Sequence, residues 1–389
     1  MRHNTLRSAL LIALSVLAGA VGWSGKEMLL PAAAFFPFLW SRAPTRTLAT
    51  LVALGYFLTA SRDLPAGVAH FFTADLWVGL CMWIGAAAAF VAVHAALWTA
   101  RPGWARAWRY LAIMVLTAVP PFGITGWAHP LTAAGMLFPG WKWWGLAALT
   151  AGLMGLVTRI GPAVAVALSG LWFWSAASGT ATLIPERWHG VDLQMGASLG
   201  RDLSLQRHRD LIATVRQVVA NSRNQVIILP ESTLGFWTSS VERLWRDGLR
   251  GTEITVIAGA AVVDAEGYDN VMVEIDARSA RILYHERMPV PVSMWQPWKK
   301  WLGEPGGAPA RFFANPVVDA AGKTFAPIIC YEQLVVWPIL HSLLSRPDVI
   351  ILIGNGWWTA DGNIVAIQRA SATAWARLFD LPLVISFNI

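Results

Sequence analysis

Cysteine is almost missing from this sequence, and acidic residues are nearly missing from its first 180 positions. The two cysteines, Cys81 and Cys330, are far apart, which excludes a disulfide framework. No C-x-x-C pair or His/Cys cluster at zinc spacing occurs, so neither a metal nor a cofactor is expected. Residues 1–180 hold only three acids, Glu27, Asp63 and Asp75, against 11 Lys/Arg; residues 181–389 hold 20 acids against 19 Lys/Arg. The net charge of +7 therefore belongs to the first half alone. The second half is near neutral and has no basic stripe, so no direct nucleic-acid binding is expected.

Charge is scarce throughout: 14% of residues are charged and 56% are hydrophobic, too apolar for an ordinary soluble chain. The apolar residues concentrate in segments near 8–23, 28–40, 47–61, 76–100, 110–128, 143–158 and 161–180. A helix needs about 20 apolar residues to cross a bilayer, and seven spans in a bundle over 1–182 are expected. Pro120 and Pro121 predict a break in the fifth. With the N-terminus in the cytoplasm, Arg2, Arg7, Arg42, Arg46, Arg101, Arg106, Arg109 and Arg159 fall inside; Lys26, Arg62 and Lys142 fall outside. The positive-inside rule favours that topology. Seven spans then place everything after about 182 outside the cytoplasm, in the periplasm of a Gram-negative cell; six or eight would reverse it. Trp40, Trp98, Trp141, Trp143 and Trp144 at segment ends read as interfacial anchors. His94 reads as a satisfied packing histidine rather than an intramembrane functional group.

From 190 onward short Val/Ile-rich runs alternate with mixed polar stretches. Strands are expected at 190–194, 226–230, 255–263, 270–276, 281–285, 325–330, 349–353 and 383–387. Helices are expected at 205–221, 239–249, 333–345 and 364–379. Three continuous apolar runs end in polar groups: "VIILPES" in Glu231, "FAPIIC" in Cys330 and "DVIILIGN" in Asn355. Strands buried on both faces read this way, and their carboxyl ends are where α/β sheets form sites. A cysteine nucleophile needs a base, and Glu231 could serve. Spacing alone favours a packing role for Cys330, because buried inert cysteines are common.

The motifs "VIILPESTLG", "NVMVEIDARSARILYHERM", "IICYEQL" and "GNGWWT" followed by "IQRASATAWARLFDLPLV" resemble, in that order, those of the carbon–nitrogen hydrolase (nitrilase) superfamily. The resemblance covers about 188–389. It implies an αββα sandwich, with Glu231 on the catalytic glutamate and Cys330 on the catalytic cysteine. Asn355, Gln368 and Arg377 fall on familiar positions. A helical bundle ahead of this domain resembles the apolipoprotein N-acyltransferase type, which carries seven helices. "RMPVPVSMWQPW" resembles the TraB conjugal-transfer proteins of Agrobacterium and rhizobial plasmids. In the superfamily more sheet and a last membrane helix usually follow, so the domain is expected to lack strands after Ile389.

One position departs from the pattern. The superfamily's lysine falls at Glu286, with Arg287 next, and Met294 stands where a second glutamate is usual. A lysine would acidify the thiol; a glutamate would do the opposite. Arg287 takes its place, or Lys299 or Lys300 reaches over, or the site is impaired. The resemblance implies catalytic roles for Cys330 and Glu231, with Arg287 as substitute cation and Glu332 orienting the site. Two functions stay open: a Cys-dependent acyltransferase or amidase acting on a lipid or membrane protein, or a non-catalytic scaffold. Expected partners are membrane lipids and a lipoprotein, a pilin or the conjugation machinery.

Overall fold

The computed structural model describes residues 2–178, 187–197, 205–220, 225–265, 267–304, 306–359 and 362–389. The chain forms two compact units: 1–182 with 334–337 and 358–381, and 183–333 with 338–357 and 382–389.

The first unit is helical. Helix α1 (Arg2–Gly22) is followed by a 3-10 run, Glu27–Phe35, and α2 (Phe36–Ser41). Then come α3 (Arg46–Ala60), α4 (Leu64–Phe72), α5 (Leu76–Leu97), α6 (Trp104–Ala118), α7 (Ala134–Leu137), α8 (Lys142–Leu156) and α9 (Gly161–Ser178). Thr45 caps α3 by accepting from the Leu48 N–H at 3.2 Å. The core is aromatic, and several of its polar groups are paired. Phe36 stacks on Tyr56 at 4.2 Å, and the Tyr56 hydroxyl accepts from Trp23 Nε1 and donates to the Ala128 carbonyl. His94 bonds the Phe90 carbonyl and packs among Phe36, Trp40, Phe57 and Tyr110, a satisfied core histidine.

Among the described residues two helical stretches are long and apolar enough to cross a membrane, Thr5–Gly22 and Leu76–Leu97. Glu27–Ser41 and Arg46–Ala60 are apolar but shorter. The segment 110–128 breaks where its prolines predict: α6 stops at Ala118, ahead of Pro120 and Pro121. Proline has no N–H to continue the ladder. Helix α4 falls in none of the expected spans.

The second unit starts with β1 (Trp188–Gly190), α10 (Leu205–Ala220), β2 (Val226–Ile228), α11 (Ser239–Gly248), β3 (Thr255–Val263), β4 (Tyr268–Ile275) and β5 (Ala280–His285). It continues through α12 (Pro297–Trp301), β6 (Val318–Ala320), β7 (Lys323–Ile329), α13 (Val336–Leu344), β8 (Val349–Asn355), α14 (Ile364–Phe379) and β9 (Leu383–Asn388). One sheet runs β1-β2-β3-β4-β5 and the other β6-β7-β8-β9. The pairs β1/β2, β2/β3, β7/β8 and β8/β9 are parallel; the rest are antiparallel. Ile228, Ile257, Met272 and Tyr284 of the first sheet pack against Phe325, Ile329, Ile351 and Val384 of the second, so the sheets form a sandwich. The other face of the first sheet, through Ile227, Val256 and Val271, packs on Leu211, Val215 and Trp245 of α10 and α11. Both faces of the central strands are thus buried, and their side chains need no polar alternation.

The sequence-based strands differ from these in two places. The first strand lies at 188–190 rather than 190–194; Leu193 instead makes an isolated bridge to Asn388. Strand β6, three residues long, was too short to give a periodic signal. Helix α14, expected within the second domain, groups with the helical unit. Gly135 of α7 meets it so closely that a Cβ there would collide with the Ala374 carbonyl. The Gly140 N–H donates to the Arg377 carbonyl at 2.8 Å.

Candidate active site

Cys330 and Glu231 meet in the second unit. Strand β7 ends at Ile329, and Cys330 opens a 3-10 turn, Cys330–Gln333, at φ 42°. Left-handed backbone is costly for a residue with a Cβ and is held only where surrounding contacts enforce it. Glu231 follows β2 in a turn fixed by β3: the Gly259 N–H donates to the Pro230 carbonyl and the Leu234 N–H to the Gly259 carbonyl. A Cβ at Gly259 would lie 2.5 Å from Glu231 Cα, so only glycine lets the turn approach β3. The Glu231 carboxyl and the Cys330 thiol hydrogen-bond each other, and the Asn355 backbone N–H reaches the sulfur.

The expected cation is replaced by a third group. Glu286 is buried and extends the β4–β5 ladder, its N–H donating to the Asn270 carbonyl at 2.9 Å. The Asn270 amide links the two acids: Nδ2 donates to Glu231 Oε1 at 2.8 Å and to Glu286 Oε2 at 3.1 Å. Asn270 was missed by motif reading. A buried amide in a strand, where asparagine is depleted, is the signal that could have found it.

The Arg287 side chain bonds groups other than Cys330 and Glu231. Its guanidinium is fully buried. Nε donates to the Tyr284 hydroxyl at 2.8 Å, Nη2 to Ser342 Oγ at 2.9 Å and to the Pro327 carbonyl at 3.3 Å, and Nη1 to His341 Nδ1 at 3.2 Å. Glu332 belongs to the same network. It accepts from the backbone N–H groups of Arg287, Met288 and Ile329 and from the Tyr284 hydroxyl, with Arg287 Nε 3.8 Å away. Glu332 therefore ties the end of β7 to the chain after β5, and Arg287 neutralises it. Lys299 lies against Gly306 and Lys300 is exposed, both on α12. Among the described residues neither lysine forms an ion pair with Glu231 or Glu286. Met294 is half-buried. Asn355 accepts from Asn388 Nδ2 at 2.7 Å, fastening β8 to β9. Gln368 and Arg377 lie on α14 in the helical unit.

Burial and the neighbouring Glu231 and Glu286 push the Cys330 thiol well above its ordinary range. Burial raises Glu231 to about 7, against the hydrogen bonds from Cys330 and Asn270, and raises Glu286 well above the carboxylate range. Glu332 is also raised by burial, with Arg287 opposing. At neutral pH the sulfur is a thiol, and the acids around it favour protons over negative charge.

A stability prediction follows from these directions. A carboxyl raised on folding stabilises fully below its unfolded value, about 4.5, and loses that contribution as pH rises through its folded value, about 7 for Glu231. The wild-type protein should therefore exceed the Glu231→Gln/Glu286→Gln variant in thermal midpoint more at pH 5 than at pH 8. Thermal unfolding of both at the two pH values checks this; an advantage that grows toward pH 8 would refute it.

The Carbon-nitrogen hydrolase family matches residues 58–377. That match starts inside α3, earlier than the 188–389 expected from the motifs. The chain is 60% identical over 398 residues to the conjugal transfer protein TraB of Agrobacterium fabrum, covering 100% of this chain and 94% of that protein. It is 61% identical over 388 residues to a probable conjugal transfer protein TraB of Sinorhizobium fredii, covering 100% of both. Among solved structures, a nitrilase-superfamily amidase from Nesterenkonia matches at 14% identity and a TM-score of 0.37, over 53% of this chain and 78% of that one.

Proposed function

Because the chain belongs to the carbon–nitrogen hydrolase family and, within it, to the TraB conjugal transfer proteins, we propose that it supports plasmid conjugation from a membrane through a nitrilase-like domain whose thiol stays neutral. One observation carries this reading: the Glu286 carboxyl, joined to Glu231 through Asn270, stands beside Cys330 where a thiolate would need a cation. The domain then acts as a scaffold that recognises a lipoprotein, a pilin or another part of the transfer machinery.

The proposed location is the bacterial inner membrane, multi-pass, with the second unit in the periplasm. Two apolar helices of spanning length support membrane insertion. Large aromatics exposed on the helical unit, among them Trp77, Trp104, Trp144 and Trp174, suit contact with lipid and its interface. The arginine bias of alternate loops supports the orientation.

A second reading rests on a different observation, the Glu231–Cys330 hydrogen bond with Cys330 held in the left-handed region. Here Glu231 takes the thiol proton, sulfur attacks the carbonyl of an acyl ester or amide, and the C–O or C–N bond breaks, the alcohol or amine leaving with the proton that Glu231 returns. The thioester then passes its acyl group to an amine or to water. Cys330→Ala separates the two readings. On the scaffold reading, conjugation frequency is unchanged while loss of the whole protein lowers it, and lipoprotein acylation is unaffected. Lost conjugation in Cys330→Ala, with the protein present at normal membrane levels, would establish the acyl-transfer reading instead.

A further inference from the structure

The connections α2–α3 and α5–α6 of the helical unit hold hydrogen-bond donors in excess. Arg106 joins them: Nη1 donates to the Ser41 carbonyl at 2.7 Å, Nε to the Thr99 carbonyl at 3.2 Å, and Nη2 to the Ala100 carbonyl at 3.2 Å. One guanidinium thus holds the residues beside Arg42 against those beside Trp98. On these two tied segments four buried N–H donors have no acceptor: Arg42 Nε, Arg42 Nη2, Trp40 Nε1 and Trp98 Nε1. Trp40 is wholly buried and Trp98 nearly so, whereas Arg42 is half-buried, with its guanidinium over the Phe38 ring at 4.6 Å.

An unpaired buried donor is costly, more so when charged, so four on adjoining segments call for an acceptor. The described residues supply none. The acids of residues 2–178 are Glu27, Asp63 and Asp75, and Asp63 is engaged by the Asn363 N–H. Among the described residues, no ion pair involves Arg42 or Arg106. Arg42 Nε and Nη2, two free donors of one planar guanidinium without a counter-ion, match a tetrahedral oxyanion better than a halide.

We propose that Arg42 and Arg106, with the indole N–H groups of Trp40 and Trp98, form a phosphate site, and that a phospholipid headgroup occupies it. Arg42 binds the phosphate through its fork, while Arg106 holds the two connections in place and adds charge. The site rests on these contacts and on neither reading of Cys330.

The test uses the full chain purified in neutral detergent. Its thermal midpoint is followed against dihexanoyl phosphatidic acid, sodium phosphate, and sodium chloride at matched ionic strength. The expected result is a saturable rise with phosphatidic acid beyond that with chloride. Arg42→Gln should weaken the apparent affinity at least about tenfold, the effect of losing one charge-assisted contact, while Arg101→Gln, an exposed arginine of the α5–α6 connection, should not. An equal rise with sodium phosphate upholds the phosphate site and overturns the lipid assignment. No rise beyond chloride with either phosphate, or an equal rise in Arg42→Gln, overturns the site. Arg42→Lys keeps the charge and guards against a folding failure. Native mass spectrometry should find one phospholipid retained by wild type and lost from Arg42→Lys; equal retention refutes the proposal.

Discussion

Glu286→Lys is expected to make Cys330 react with iodoacetamide about thirtyfold faster at pH 7, following the effects of charge and nucleophilicity below. The measurement is made in a Cys81→Ser background, since Cys81 is exposed. A cation about 4 Å from a thiolate is worth roughly 4 kcal/mol at an effective dielectric of 20, or about three pKa units. The thiolate fraction below the pKa would rise about a thousandfold, and about half of that gain, on a logarithmic scale, is lost because a less basic sulfur is a weaker nucleophile. Glu286→Gln removes the ionisable carboxyl without adding a cation and should raise the rate less. If Cys330 in the wild-type protein already reacts as fast as a free cysteine at pH 7, or if Glu286→Lys changes nothing, the neutral-thiol account fails.

The second large effect is on stability. Arg287→Met is expected to cost about 3–5 kcal/mol, because it leaves the buried Glu332 carboxylate without its counter-ion. It also removes one partner each from Tyr284, Ser342 and His341. Denaturant unfolding of the second unit, followed by limited proteolysis, reads this directly. Adding Glu332→Gln should recover part of the loss, since the isolated charge is then gone. A cost below about 1 kcal/mol would mean that solvent reaches the network. Thiol reactivity separates this role from catalysis: if Arg287 were the cation serving Cys330, its removal would slow alkylation as well as destabilise the fold.

Strand-end chemistry was the legible part of the sequence. "VIILPES", "FAPIIC" and "DVIILIGN" end where β2, β7 and β8 or their adjoining turns stop, and Glu231 and Cys330 do meet. Continuous apolar runs betray strands buried on both sides, and polar residues at their tips betray a site. Direction was less legible. "YHERM" leaves open which of Glu286 and Arg287 faces the sulfur. The answer depends on Asn270 from β4, on Tyr284 from β5 and on His341 and Ser342 from α13, of which only Tyr284 lies in the motif. The helical unit was read as apolar correctly and its break at the two prolines was legible, but hydropathy could not show that α14 belongs with it.

The grouping of α14 bears on how the protein is made. Its neighbours α7 and α8 leave the ribosome about two hundred residues earlier, so the first unit stays incomplete until nearly the whole chain has been synthesised. Until then its docking site, including the carbonyl-close face at Gly135, has no occupant. A fragment beginning at residue 188 would carry α14 without that site, leaving Ile364, Ile367, Trp375 and Leu378 uncovered and prone to aggregate. Biogenesis of this protein thus couples a late-emerging helix to an early-emerging helical unit, whose docking face must stay accessible until residue 379 has emerged.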